Sequence, residues 1–276
     1  RYLRLFSCIP RPPSSTLFPY PTLFRSYRST LSTIGLNDAS NWLTFNTGET
    51  LSSGKTTCLK ITLPSNQGVF YFKRYVYKKN RWEFFLRRSK AANESINYQR
   101  FKNIGIPTLD TIALYEQRSF GRLEATCIVT KEQPNSMQLD HFFKKVLLKM
   151  PNRERRLILN SLKEQLFQQI RTAHNTGLFH LDLKWRNILI QQTGQTYTPI
   201  WIDCPRGIQR KFFNYRLKVA DLSGLARKAL CFFTTQQLYR MLYSYLGPSA
   251  SKAEARKLFL DIAKHLSRRP PKKITP

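Results

Sequence analysis

The feature that most constrains this chain is the stretch 153–176. There Leu159, Leu162, Leu166, Ile170 and Ala173 recur at helical spacing, and Gly177 stands where a left-handed C-terminal cap belongs. These aliphatics form a core-facing stripe, so the segment predicts a long helix packed against other elements. Upstream the pattern is strand-like. Residues 57–63 and 69–75 are rich in β-branched and aromatic side chains, and Pro64-Ser-Asn-Gln-Gly68 supplies turn chemistry between them. A helix fits 89–102, stopped by Gly105 and Pro107, and a strand at 125–130 leads into the polar stretch 131–136, which reads as a linker. Downstream come a short loop, strands at 188–191 and 200–203 around a Thr193-Gly194 turn, and helical segments to about Leu266. A strand-rich first part followed by a helix-rich second part predicts an α+β protein with two lobes, 27–130 and 131–266, and a disordered tail at 267–276.

Charge narrows the partners. Lys and Arg number 46 against 16 Asp and Glu, a net charge of +30 over 276 residues. So large an excess favours a polyanionic partner over a merely solvated basic surface: nucleic acid, an anionic membrane surface, or a phosphorylated glycolipid. The five cysteines are odd in number and contain no CxxC pair, which argues against a disulfide framework or structural zinc and favours a reducing cytoplasm. No apolar run approaches the length of a membrane-spanning helix.

Residues 1–26 differ from the rest: they hold no acidic residue, several prolines and no helical or strand period. Their apolar content is too interrupted for a signal-peptide core. The run 16–26 resembles the translation of a common sequencing-adapter oligonucleotide, with Pro21 the one mismatch, which implies a native chain beginning near Tyr27. Without Arg1, Arg4, Arg11 and Arg25 the charge falls only from +30 to +26, so the electrostatic reading stands.

The chemistry concentrates in His180-Leu-Asp-Leu-Lys-Trp-Arg-Asn-Ile-Leu-Ile190 and Trp201-Ile-Asp-Cys-Pro-Arg-Gly207. These resemble the protein-kinase catalytic loop, H-x-D-L-K-x-x-N, and the metal-binding loop that follows it. The resemblance implies Asp182 as the catalytic base, Asn187 and Asp203 as Mg²⁺ ligands, and ATP as the phosphoryl donor. The spacing suits that chemistry: an Asp opens the loop to orient the acceptor hydroxyl, an Asn five residues later turns back, and a second Asp lies across a β-hairpin. Lys184 suits charge neutralisation on the transferring phosphoryl group, and His180 reads as a brace for the loop. The alternatives are a turn cap for Asn187 and a strand end for Asp203.

Upstream, a kinase needs a strand lysine to hold the α- and β-phosphates and a helical glutamate to hold the lysine. Lys73 and Glu94 fill those places, with Arg74, Lys60 and Glu83 as neighbouring rivals. Tyr71 shares the strand face of Lys73, where protein kinases usually place a small residue against adenine. Residues 46–56 lack G-x-G-x-x-G, so phosphate cover rests on Gly48, Gly54 and serine or threonine amides. The same stretch resembles a Walker P-loop but has one residue too many and sits between strands, so that reading is rejected. Asp221 resembles the helical aspartate that ties down the kinase catalytic loop; a helix cap or a solvent-facing Asp are the alternatives.

Asp-Leu-Lys-Trp-Arg-Asn-Ile-Leu, Trp-Ile-Asp-Cys-Pro-Arg-Gly, Phe-Lys-Arg-Tyr and Asn103-Ile-Gly-Ile-Pro107 are together similar to the lipopolysaccharide core kinase family, the Kdo/heptose kinases and their relatives. The resemblance covers about 43–230. It implies a protein-kinase-like fold with a five-stranded N-lobe and a reduced helical C-lobe, and ATP- and Mg²⁺-dependent transfer to a sugar hydroxyl of the lipopolysaccharide inner core. It further implies a cytoplasmic enzyme, peripheral on the anionic inner membrane of a Gram-negative bacterium. Nucleic-acid binding, suggested by charge alone, has no recognised binding motif behind it and is not expected. Trp185 and Arg186 flank the acceptor position and stand ready to touch the sugar, or else to pack and to pair with an acidic neighbour. Other hydroxyl acceptors, and a catalytically silent scaffold at the membrane, are the competing functions.

Overall fold

The computed structural model describes residues 16–17, 27–36, 41–54, 56–64, 68–77 and 83–268. Apart from 16–17, the expected non-native leader lies outside the described residues, as does most of the expected tail. Two compact units form. The described residues up to Ser95 join Asp110–Glu132 in the first, and Ile96–Leu109 joins the residues from Gln133 onward in the second.

The first unit is an antiparallel sheet of β1 (Thr16–Leu17), β2 (Glu49–Ser52), β3 (Thr56–Thr62), β4 (Val69–Val76), β5 (Thr111–Ser119) and β6 (Arg122–Lys131), in the order β1-β5-β6-β4-β3-β2. Six strands thus stand where five were expected. The sixth is the two-residue β1 paired with Tyr115 and Glu116, too short to show any period. Strand alternation sorts β4 into two faces. Phe70 and Phe72 enter a core with Leu59, Ile61, Ile112, Tyr115 and Val129, which α1 (Arg28–Ile34) completes with Leu31 and Ile34. Arg74 shares the parity of the two phenylalanines, and its guanidinium donates to the carbonyls of Trp42, Leu43 and Phe45, securing the segment that buries Trp42. Tyr71, Lys73 and Tyr75 take the opposite face. The unit also holds α2 (Glu83–Leu86) and the start of α3 (Lys90–Asn103), whose remainder belongs to the second unit.

The second unit contains β7 (Ser136–Gln138), α4 (Leu139–Lys145), α5 (Asn152–Asn175), β8 (Leu178–Phe179), β9 (Ile188–Thr193), β10 (Thr196–Trp201), β11 (Ile208–Gln209), α6 (Tyr215–Ala229), α7 (Thr235–Leu246) and α8 (Lys252–Ser267). Its strands form a three-stranded sheet, β10-β9-β7, and a two-stranded pair, β11-β8. The long helix α5 buries Leu162, Leu166, Ile170 and Ala173, four of the five residues of the sequence stripe. Its Gln165 and Gln169 donate to the carbonyls of Tyr197 and Pro199, fixing the helix to the β9–β10 hairpin. The strand expected at 200–203 stops at Trp201, because the chain turns at Asp203, which adopts φ +57° in the left-handed region. Aspartate tolerates that region better than most residues.

Candidate active site

The register of the β9–β10 hairpin builds the site. Ile188 pairs with Trp201, and one step further the Ile202 N–H donates to the Asn187 carbonyl at 3.0 Å. Asn187 and Asp203 are thereby brought to one end of the hairpin, as the sequence spacing predicted. Asn187 is 3 % exposed, and its Nδ2 donates to the Asp182 carbonyl (2.8 Å) and to Asp182 Oδ2 (3.0 Å). With the amide nitrogen so committed, Oδ1 is the atom left for a cation. The Asp203 N–H donates to the Tyr98 hydroxyl at 3.0 Å, and Asn97 of the same helix donates to the carbonyls of Cys204 and Gly207. Asn97 and Tyr98, in the second-unit half of α3, thus prop the Asp203 loop. Sequence reading missed both, because a buried Asn and Tyr on a helix carry no local signal.

Asp182 is contacted by Lys184 through an Nζ–Oδ1 ion pair, and Arg186 Nη2 lies 4.0 Å from Oδ2. Arg186 therefore takes the acidic-neighbour alternative. Trp185 packs: it is 5 % exposed, and its Nε1 donates to the Leu225 carbonyl. His180 is fully buried; its Nδ1 accepts the Asp182 N–H and its Nε2 meets the Ile202 carbonyl at 3.0 Å, which sets the Nε2–H tautomer. This is the brace read from the sequence.

Asp221 decides between its alternatives. It is 1 % exposed, and its carboxylate accepts the backbone N–H of His180 (2.9 Å) and of Leu181 (2.6 Å). Leu181 sits at φ +58°, a backbone state a branched side chain adopts only when its surroundings enforce it. Behind Asp221, His174 Nε2 approaches Oδ2 at 3.3 Å while Nδ1 lies 2.9 Å from the Tyr245 hydroxyl. Burial, and then the charge of Asp221, push the Tyr245 hydroxyl far above its usual pKa, so it stays a donor. Donors therefore converge on Asp221 from two sides: the Tyr245 hydroxyl acts through the His174 ring, and the loop donates directly through the His180 and Leu181 amides. One turn along α6, a Cβ on Gly224 would lie 2.8 Å from the Leu183 carbonyl, so the helix can press on the loop only because that residue is glycine.

In the first unit, Lys73 Nζ stands 3.3 and 3.2 Å from the two Glu94 oxygens, and the Tyr75 hydroxyl donates to Glu94 at 3.0 Å. The rivals go elsewhere: Arg74 to the carbonyls named above and Lys60 to Glu132 at 3.5 Å, while the side chain of Glu83 lies outside the described residues. Tyr71 stays on the Lys73 face, where its hydroxyl donates to Glu132 at 2.9 Å. Gly48 and Gly54 fall at opposite ends of β2. Gly54 lies in the β2–β3 turn, whereas Gly48 has a packing reason, since a Cβ there would meet the Lys60 carbonyl at 2.5 Å.

The donor set fits magnesium. An amide oxygen and a carboxylate are hard ligands, and Mg²⁺ is ordinarily held by one or two protein groups plus phosphates and water. Among the described residues there is no group of three or more His, Cys, Asp or Glu that could hold a metal ion.

The antiparallel sheet of the first unit, and the second unit's loop and hairpin with Asp182 against Lys184 and Asn187, are those of the protein-kinase-like fold. The model of the lipopolysaccharide kinase (Kdo/WaaP) family matches residues 64–245, about two thirds of the chain, and the chain belongs to that family. Among solved structures it is similar to WaaP in complex with acyl carrier protein. The TM-score is 0.63 at 18 % identity, over 92 % of this chain and 95 % of that one, a likeness of fold. No curated protein matches.

Proposed function

We propose that this lipopolysaccharide kinase transfers the γ-phosphate of ATP to a sugar hydroxyl of the inner core, working at the cytoplasmic face of the inner membrane. The observation that carries the reading is Asp182, fixed through its own carbonyl, its amide and its carboxylate, with Lys184 against it and Asn187 beside it. Asp182 accepts the proton as the hydroxyl oxygen bonds to phosphorus and ADP leaves. Lys184 offsets negative charge on the phosphoryl group in transit. Asn187 Oδ1 and the Asp203 carboxylate are the groups that would hold Mg²⁺, which would supply charge neutralisation for the nucleotide phosphates. Lys73, oriented by Glu94, takes the α- and β-phosphates, and the turn amides around Gly54 cover them; Gly48 keeps the base of that hairpin tight. No helix among the described residues is long and apolar enough to cross a membrane.

The test is transfer of γ-phosphate label from Mg-ATP to dephosphorylated core lipopolysaccharide, comparing the wild type with Asp182→Ala. Label that vanishes in the variant supports both the chemistry and the acceptor. No label despite Mg-ATP binding keeps the kinase and points to another hydroxyl, and no Mg-ATP binding at all points to a silent scaffold.

A second reading concerns a partner. The second unit contains a half-open apolar cavity of about 390 Å³, lined by Leu147, Leu159, Trp185, Met241 and Phe259 among others. The similar WaaP structure is a complex with acyl carrier protein, and a cavity of this lining suits the acyl chain of such a carrier. A rise in Tm with acylated but not with unacylated carrier protein is the expected result.

A further inference from the structure

The segment between Asp203 and Asp221 carries a surface that the phosphoryl-transfer chemistry does not use. It contains no acidic residue, and Arg206, Arg210, Lys211 and Arg216 are all exposed. At its centre Phe212 is 75 % and Phe213 95 % exposed. One exposed aromatic needs no explanation; two adjacent ones in a segment whose exposed charges are all cationic do.

The protrusion is held, not frayed. On one side β11 pairs with β8, and the Arg210 N–H donates to the Gly177 carbonyl at 2.7 Å. On the other, Asn214 Nδ2 donates to the Lys211 carbonyl, and the Tyr215 hydroxyl donates to Asp261 at 2.7 Å. Between these ties Phe213 adopts φ +52°, a costly conformation for an aromatic residue that gains no burial in return. The segment is also tied to the chemistry: β8 runs directly into His180, and Arg206 lies just past Asp203.

We propose that this segment docks the enzyme on an anionic lipid surface, with Phe212 and Phe213 entering the headgroup layer and the segment's cations meeting lipid phosphates. Aromatic rings settle at the bilayer interface, and clustered Lys and Arg are drawn to anionic lipids. The inference rests on the glycolipid reading above, because an acceptor anchored in a bilayer must be met at its surface. Docking next to the two catalytic segments brings the acceptor sugar within reach of Asp182.

The experiment compares the wild type with Phe212→Ser/Phe213→Ser, whose side chains are outside the core, in sedimentation with phosphatidylethanolamine–phosphatidylglycerol vesicles and with phosphatidylcholine vesicles. The wild type should bind the anionic vesicles in preference, and the double variant should partition at least about tenfold more weakly. On lipopolysaccharide embedded in vesicles the variant should show a raised KM; on a deacylated, soluble core oligosaccharide its activity should match the wild type. Three results overturn the proposal: unchanged partitioning of the variant, equal loss of activity on both acceptors, or Phe-dependent binding to single-stranded oligonucleotide in place of vesicles. If the wild type phosphorylates neither acceptor, the acceptor assignment fails while the vesicle result still decides the docking.

Discussion

The two units hold their polar groups by different means. In the first, Lys73 is clamped by side chains: the Glu94 carboxylate, itself steadied by the Tyr75 hydroxyl. In the second, the loop that carries Asp182 is held through its backbone, with the N–H groups of His180 and Leu181 on Asp221 and the Asp182 N–H on His180. A side-chain clamp can be loosened and leave the fold intact. A loop bonded through its main chain to a buried carboxylate cannot, because removing the acceptor strands the buried His180 N–H and the half-buried Leu181 N–H together. The division suits the roles proposed: phosphates offer several oxygens to a mobile ammonium group, whereas a proton acceptor must meet one hydroxyl in one geometry.

Asp221→Ala puts the contrast under the greatest load. It leaves two backbone donors and the His174 ring without their acceptor, so a loss of about 3–5 kcal/mol is expected by urea denaturation, with phosphoryl transfer falling in parallel. A variant as stable as the wild type but inactive would show that the loop is not part of the fold's support. Gly224→Ala comes next. Its new methyl group would press on the Leu183 carbonyl from 2.8 Å, displacing backbone and not a flexible side chain. Overpacking of this kind costs about 1–3 kcal/mol, and a small shift of Asp182 should lower kcat by about 10²-fold. In the roles proposed, Mg-ATP affinity rests on Lys73 as well as on the loop's metal donors, so it should fall much less than kcat; a matching loss of affinity would break the division of labour.

What the sequence made legible follows the same line. Asp182, Asn187 and Asp203 were readable because a loop and a hairpin fix their separation in the chain. Lys73 and Glu94 were readable because strand and helix periods place them, though Arg74 became distinguishable only once its contacts with the Trp42 and Leu43 carbonyls were visible. Asp221 was ambiguous, since its partners His180 and Leu181 lie about forty residues away and the bonds run to main-chain atoms that no side-chain pattern encodes. Asn97, Tyr98 and His174 were silent for that reason. The two-residue β1 was beyond reach because a segment so short has no period.

The side-chain clamp should behave as a pair. Lys73→Met and Glu94→Gln should each raise the KM for ATP, and the double variant should be scarcely worse than either single one, with a coupling energy of about 1–2 kcal/mol in a double-mutant cycle. Additive effects would mean that Glu94 acts on something other than Lys73. Lys73→Met should cost less stability than Asp221→Ala, because Lys73 keeps 20 % of its side chain in solvent and Glu94 retains the Tyr75 hydroxyl.

The smallest effect is expected at Tyr245→Phe, which removes the outermost donor of the relay and nothing else. His174 Nδ1 then loses its 2.9 Å partner, at a cost of about 1 kcal/mol for one buried unmet acceptor. Asp221 still demands a donor, so the His174 Nε2–H should stay on it, the backbone bonds of His180 and Leu181 should survive, and kcat should remain within about twofold of the wild type, since none of the loop's own hydrogen bonds is removed. The pH dependence is fixed in sign. The folded-state pKa of Tyr245 is raised, so its contribution is complete below the unfolded tyrosine value of about 10 and fades only as pH climbs through the higher folded one. The stability difference between wild type and Tyr245→Phe should therefore be flat from pH 6 to about 9 in urea titrations. A loss as large as that of Asp221→Ala would move the anchor of the loop from the aspartate to the tyrosine, and the backbone-held loop would then depend on a side-chain clamp of its own.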